Sequence, residues 1–153
     1  MKKILLQAVI LFLLSACATL KPQFKTESVL NSFPKDKEIA HTFYLIGDAG
    51  NSKLGETSKA LEAFKKELMK ADENSTALFL GDNVYPAGIP NKKDEGYALS
   101  KHRLDVQIDA VKNFKGNPIF IAGNHDWYNG LDGLKDQEKI VLKSLGKKSF
   151  FPQ

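Results

Sequence analysis

Three short apolar runs, at residues 43–46, 77–80 and 119–122, each give way at once to a glycine and a polar residue: Gly47-Asp48-Ala49-Gly50, Gly81-Asp82-Asn83-Val84-Tyr85 and Gly123-Asn124-His125-Asp126. Glycine lets the chain turn tightly where a buried strand ends, and frees the next polar side chain to face outward beyond the strand's carboxyl end. Strands are expected at residues 41–46, 76–80 and 118–122. Between and after them lie helical patterns at 58–70, with Leu61, Phe64 and Leu68 on one stripe, at 97–114, with Leu104, Ile108 and Val111, and at 131–145. Residues 86–96, with two prolines and two glycines, read as a loop bordering a site. Alternating strands and helices predict an α/β fold with right-handed crossovers and mainly parallel strands flanked by helices. The carboxyl ends of such strands share one edge, which would bring Asp48, Asp82, Tyr85, Asn124 and His125 together. Oxygen donors with one imidazole point to metal ions and phosphate.

The 42% apolar and 26% charged composition is that of a folded domain, and 153 residues suffice for one. The first residues read differently. Met1-Lys2-Lys3 is a short basic start, residues 4–14 are apolar over the length of a signal h-region, and small residues follow. Leu14-Ser15-Ala16-Cys17 resembles a bacterial lipobox, which implies cleavage before Cys17 and a diacylglycerol on its sulfur; the alternative is an ordinary secretory signal with an incidental cysteine. The expected organisation is a signal peptide at 1–16, a polar tether at 17–39 and a domain at 40–153. The protein is then exported and held in the bacterial cell envelope by lipidated Cys17. Cys17 is the only cysteine, so no disulfide within the chain supports the fold. Half of the net charge of +4 comes from Lys2 and Lys3, and no basic run is interleaved with aromatics, so no nucleic-acid partner is expected.

Gly-Asp-x-Gly, Gly-Asp-Asn-x-Tyr and Gly-Asn-His-Asp, in this order and spacing, resemble the first three blocks of the calcineurin-like metallophosphoesterase superfamily. The tyrosine of the second block, in Gly81-Asp82-Asn83-Val84-Tyr85-Pro86-Ala87-Gly88, is similar to that of the purple, tartrate-resistant acid phosphatase branch. The resemblance covers residues 43–128. It implies the N-terminal half of an αββα sandwich and a two-metal centre that activates water against phosphomonoesters. It also implies that Asp48 and Tyr85 bind the first metal, that Asp82 bridges both, that Asn124 binds the second, and that His125 stands beside the phosphate to stabilise charge or protonate the leaving alkoxide. A phenolate ligand favours a hard ion, so the implied pair is iron with iron, zinc or manganese. Tyr85 as a mere pocket aromatic is the competing reading.

Several residues keep two readings. Asp126 either orients His125 or caps the next turn; Asn83 is a candidate phosphate contact; Trp127 and Tyr128 wall the pocket or pack. His41 and His102 read as solvated. The family pattern also calls for later histidine blocks, and no histidine follows His125. The chain therefore reads as part of the domain, inactive alone, its apolar end at Phe150-Phe151 leaving a helix and a strand start unpacked. Competing accounts are a decayed product, a chain completed by a partner, a noncatalytic lipoprotein keeping a half-fold, and a phosphodiesterase of the same superfamily.

Overall fold

The computed structural model describes residues 38–152. The expected signal peptide, Cys17 and the expected tether as far as residue 37 lie outside the described residues. Four parallel strands, β1 (Thr42–Ile46), β2 (Ser75–Phe79), β3 (Asn117–Ile121) and β4 (Phe150–Phe151), form one sheet in the order β1-β2-β3-β4. The crossovers carry α1 (Lys59–Leu68), α2 (Tyr97–Val111) and α3 (Gly130–Leu145), and a short 3-10 turn, His125–Trp127, precedes α3. Among the described residues no helix is long and apolar enough to cross a bilayer.

Strand order equal to chain order has a consequence. Every right-handed crossover then passes over the same side of the sheet, so all the helices pack on one face. That face carries Tyr44, Ala77, Phe79, Phe120 and Phe150, which meet Leu61 and Leu68 of α1, Leu104, Ile108 and Val111 of α2, and Leu134 and Val141 of α3. Phe79 and Phe120 stack with centroids 4.1 Å apart, and Phe64 meets Phe79 edge-on at 5.7 Å. Each such buried side chain contributes roughly 1.5–3 kcal/mol.

The opposite face keeps the other half of the strand alternation. Phe43 is 63% exposed and Leu45 57%, and Leu80 and Phe151 are exposed beside half-buried Leu78, Ile119 and Ile121. Parallel sheets are ordinarily covered on both faces, and no described element covers this one.

Local signals set the helix ends. The Ser58 hydroxyl caps α1 by accepting from the Leu61 N–H at 3.3 Å, and Gly146, at φ 92°, stops α3. β2 and β3 each begin and end one residue earlier than their sequence patterns. α2 stops at Val111, because the chain turns there and Phe114 packs edge-on against Tyr44 at 6.3 Å.

The apolar end differs from expectation. Phe150-Phe151 is not left unpacked: it adds β4 beside β3, with Phe120 N–H donating to Ser149 O at 2.8 Å and Ala122 N–H to Phe151 O at 3.0 Å. Phe150 is fully buried in the helix-covered core.

Candidate metal centre

The segments leaving β1, β2 and β3 meet at the carboxyl edge of the sheet, where backbone bonds tie them. Asp48 N–H donates to Gly81 O at 3.2 Å, Gly50 N–H to Asp82 O at 3.1 Å and Tyr85 N–H to Gly50 O at 3.0 Å. So close an approach excludes side chains. A Cβ on Gly50 would strike the backbone of Asn83 and Val84, and one on Gly123 would strike the Asp82 carboxylate. Asp48 and Asp82 themselves sit at φ 56° and 53°, in the left-handed region. That conformation costs a non-glycine residue roughly 1–2 kcal/mol, and strain of this kind gathers at functional sites.

The strained turns aim both carboxylates at one phenol. The Tyr85 hydroxyl lies 2.5 Å from Asp48 Oδ1 and 2.9 Å from Asp82 Oδ2. Hydrogen bonding to Asp48 first, and then to Asp82, raises the phenol's pKa far above its ordinary value. A phenol has one proton to give, so one of these two contacts sets oxygen against oxygen with nothing between them. A cation relieves that arrangement, and three oxygens of this hardness fit an iron, zinc or manganese ion. No three described His, Cys, Asp or Glu side chains gather round one point; the set is two carboxylates completed by the phenol.

The other oxygen of Asp82 faces the third loop, where Oδ1 accepts the His125 backbone N–H at 3.1 Å. The His125 ring lies against Tyr85 with centroids 4.4 Å apart and against Tyr128 at 4.8 Å. Its Nδ1 is 2.6 Å from Pro86 O. A carbonyl can only accept, so Nδ1 carries a proton and Nε2 is the atom left for chemistry.

Asn124 is adjacent, its Nδ2 donating to the Tyr128 hydroxyl at 2.7 Å. Its carboxamide makes no hydrogen bond to Asp82 or Tyr85. Tyr128 thus walls the site, and Trp127 is exposed beside it.

Asp126 does not orient His125. It is fully buried, and its carboxylate accepts from Gly123 N–H at 2.8 Å, Val84 N–H at 3.0 Å, Asn83 N–H at 3.1 Å and Asn83 Nδ2 at 3.2 Å. The bond to Gly123 closes its own turn; the others bind that turn to the second loop. Burial pushes the Asp126 carboxyl pKa up, and the amides of Gly123, Asn83 and Val84 offset part of that rise. The buried Gln137 carboxamide also lowers it, although neither of its polar atoms meets hydrogen-bond geometry with any group.

Asn83, read from sequence as a phosphate contact, is instead fully buried, with Nδ2 donating to Ile121 O at 2.8 Å as well as to Asp126. Its role is to hold the second loop.

Helix α2 supplies contacts that the sequence pattern hides. Gln107 Nε2 donates to Asn83 O at 2.6 Å, and Arg103 donates to Ser52 O and Tyr85 O. His102 is half-buried rather than solvated and reaches Glu56 O at 2.9 Å. His41, exposed at the start of β1, meets the Thr76 hydroxyl at 3.0 Å. A charged Lys-His-Arg triplet gives no local sign that two of its members point at backbone carbonyls some 46 to 51 residues away.

Compared with models of known protein families, and with curated proteins, the chain matches none. A cavity of about 480 Å³ between α2 and α3, lined by Lys92, Lys101, Lys139 and Lys143 among others, contains none of the residues of the metal-type cluster.

Proposed function

We propose that this domain is the N-terminal part of a metal-dependent phosphoric ester hydrolase of the calcineurin-like metallophosphoesterase type, acting on small phosphomonoesters. The observation that carries the reading is the single phenol of Tyr85 held between the carboxylates of Asp48 and Asp82, each presented from a strained turn at the end of a parallel strand. The bare apolar face of the sheet supports the same reading, since the sandwich implied by the sequence places a second sheet there.

Asp48, Asp82 and Tyr85 would hold the first metal ion, and Asp82 would be shared with a second that the Asn124 carboxamide oxygen would help to hold. A bound pair supplies Lewis acidity, neutralising phosphoryl charge and making a water nucleophilic. In hydrolysis the water oxygen forms a bond to phosphorus as the ester P–O bond breaks, and the departing alkoxide takes a proton. His125 gives that proton from Nε2 in its imidazolium form, the Pro86 carbonyl keeping the ring in place through Nδ1. Tyr128 and Tyr85 both pack against the imidazole and limit its movement.

The resemblance also implies nitrogen ligands from later histidine blocks, so Asp48, Asp82, Tyr85 and Asn124 would supply the oxygen part of the ligand set. At its amino end, lipidated Cys17 would hold the domain at the cell envelope. The test compares hydrolysis of p-nitrophenyl phosphate and its bis ester by the protein expressed from its whole reading frame and loaded with iron, zinc or manganese. Monoester hydrolysis lost in Asp82→Asn supports the proposal. Preference for the bis ester moves it to a phosphodiesterase, and hydrolysis of neither ester rejects it in favour of a noncatalytic lipoprotein.

A further inference from the structure

Beyond the residues that face the cluster, we infer that Arg103 of α2 is a positioning residue that sets the spacing between the Asp48 loop and the Tyr85 loop. This inference rests on the cation-binding reading of those loops for its function, but not for its geometry. One guanidinium spans the gap: Nε donates to Ser52 O at 3.0 Å and Nη1 to Tyr85 O at 2.7 Å. Ser52 follows Asp48 by four residues and is almost fully buried. Tyr85 is the residue whose hydroxyl must reach Asp48.

The inner ends of the two loops are already tied by the Gly50 and Tyr85 amides. Past those bonds the first loop runs through exposed residues 53–57 before Ser58 caps α1, and the second runs through exposed Pro86. Arg103 closes the pair at that outer end. A planar fork with fixed donors suits two carbonyls at a set separation, whereas a lysine ammonium on a flexible stem does not reproduce it.

The helix is built to serve this purpose. Gln107 lies one turn beyond Arg103 on the same side and holds Asn83 O at 2.6 Å, while also donating to Arg103 O at 2.7 Å. Arg103 and Gln107 therefore hold carbonyls two residues apart in the loop that carries Tyr85. His102 adds Glu56 O of the first loop. Arg103 makes no ion pair with a carboxylate among the described residues, so its charge is directed at carbonyl dipoles alone.

The experiment uses the full chain in detergent, as wild type, Arg103→Ala and Arg103→Lys. Cation affinity is measured by calorimetry with manganese and zinc, and amide hydrogen exchange is followed by NMR in the metal-free protein. Loss of a supporting bond of this kind weakens metal binding about tenfold or more. Arg103→Ala is expected to show that loss, with faster exchange at Gly50 and Tyr85 by about tenfold while Leu78 and Phe79 in β2 keep wild-type rates. Arg103→Lys should lie nearer to Ala than to wild type.

A residue that merely stabilises the fold would raise exchange at all of these amides alike, and that result overturns the inference. So does an Arg103→Lys protein that matches wild type, because charge alone would then suffice. If the wild type binds neither cation yet Arg103→Ala frees Gly50 and Tyr85 selectively, the positioning role stands and the proposed function falls.

Discussion

Replacing Asp126 with alanine removes the buried carboxylate that gathers amides of both the second and third loops. Four N–H groups lose their partner, three of them backbone amides, at 2.8 to 3.2 Å. An orphaned buried donor costs about 1 kcal/mol at the low end of the usual range, so the gross loss is about 4 kcal/mol. Relief of a buried carboxylate, whose raised pKa reports the cost of its burial, returns part of this. The net destabilisation should be about 2–4 kcal/mol, a large share of the 5–15 kcal/mol that holds a domain together. For a domain of this size that lowers Tm by about 10–20 °C, read by circular dichroism with urea unfolding as a check.

Linkage adds a second signature. The folded pKa of Asp126 is raised, so its titration favours the fold below the ordinary carboxylate range, and that contribution disappears as pH rises through the elevated folded value. The stability difference between wild type and Asp126→Ala should therefore widen as pH falls from neutrality toward about 4. Asp126→Asn keeps the shape and one acceptor and should fall between the two. A Tm within about 3 °C of wild type, several times less than the expected shift, would show that the Asp126 carboxylate does not hold the two loops together.

Other substitutions separate the parts of the account. Gly123→Ala places a methyl group on the Asp82 carboxylate and should cost about 1–3 kcal/mol by overpacking, with weaker cation binding measured by calorimetry. Tyr85→Phe removes the hydroxyl between the two carboxylates and should abolish any visible absorption gained with ferric iron while leaving Tm within about 5 °C. Phe43→Ser with Leu45→Thr makes the bare sheet face polar and should reduce dye binding and concentration-dependent association, seen by light scattering, without loss of far-ultraviolet circular dichroism.

Much of the fold was legible because its signals are local. Apolar runs that end in glycine gave three strands, and the three- and four-residue recurrence of Leu61, Leu68, Leu104, Ile108 and Val111 gave helix faces that are buried in the structure. At β4 only a strand start was legible, and its packing was not, because two residues carry no period; pairing with Phe120 and Ile121 completes the strand.

At the site, Asp48, Asp82 and Tyr85 converge as the strand-end argument expects. The bond from Asn124 to the Tyr128 hydroxyl was not readable, since the spacing is the same whichever way the carboxamide points. Asn83 was misread, and Gln107, Arg103 and the loop-to-loop bonds of Asp126 were missed, for a common reason. A polar side chain in a core is explained by a backbone group far along the chain, as Asp126 is by Asn83 and Val84 some 42 to 43 residues away, and no periodicity encodes that partner.

The central claim is that Asp48, Asp82 and Tyr85 form a cation site, and calorimetric titration of the metal-free protein with manganese or zinc, in wild type and in Asp82→Asn, tests it most directly. The account predicts saturable binding by the wild type, weakened at least about tenfold in Asp82→Asn. Binding that is absent in the wild type, or equal in the two proteins, would contradict it.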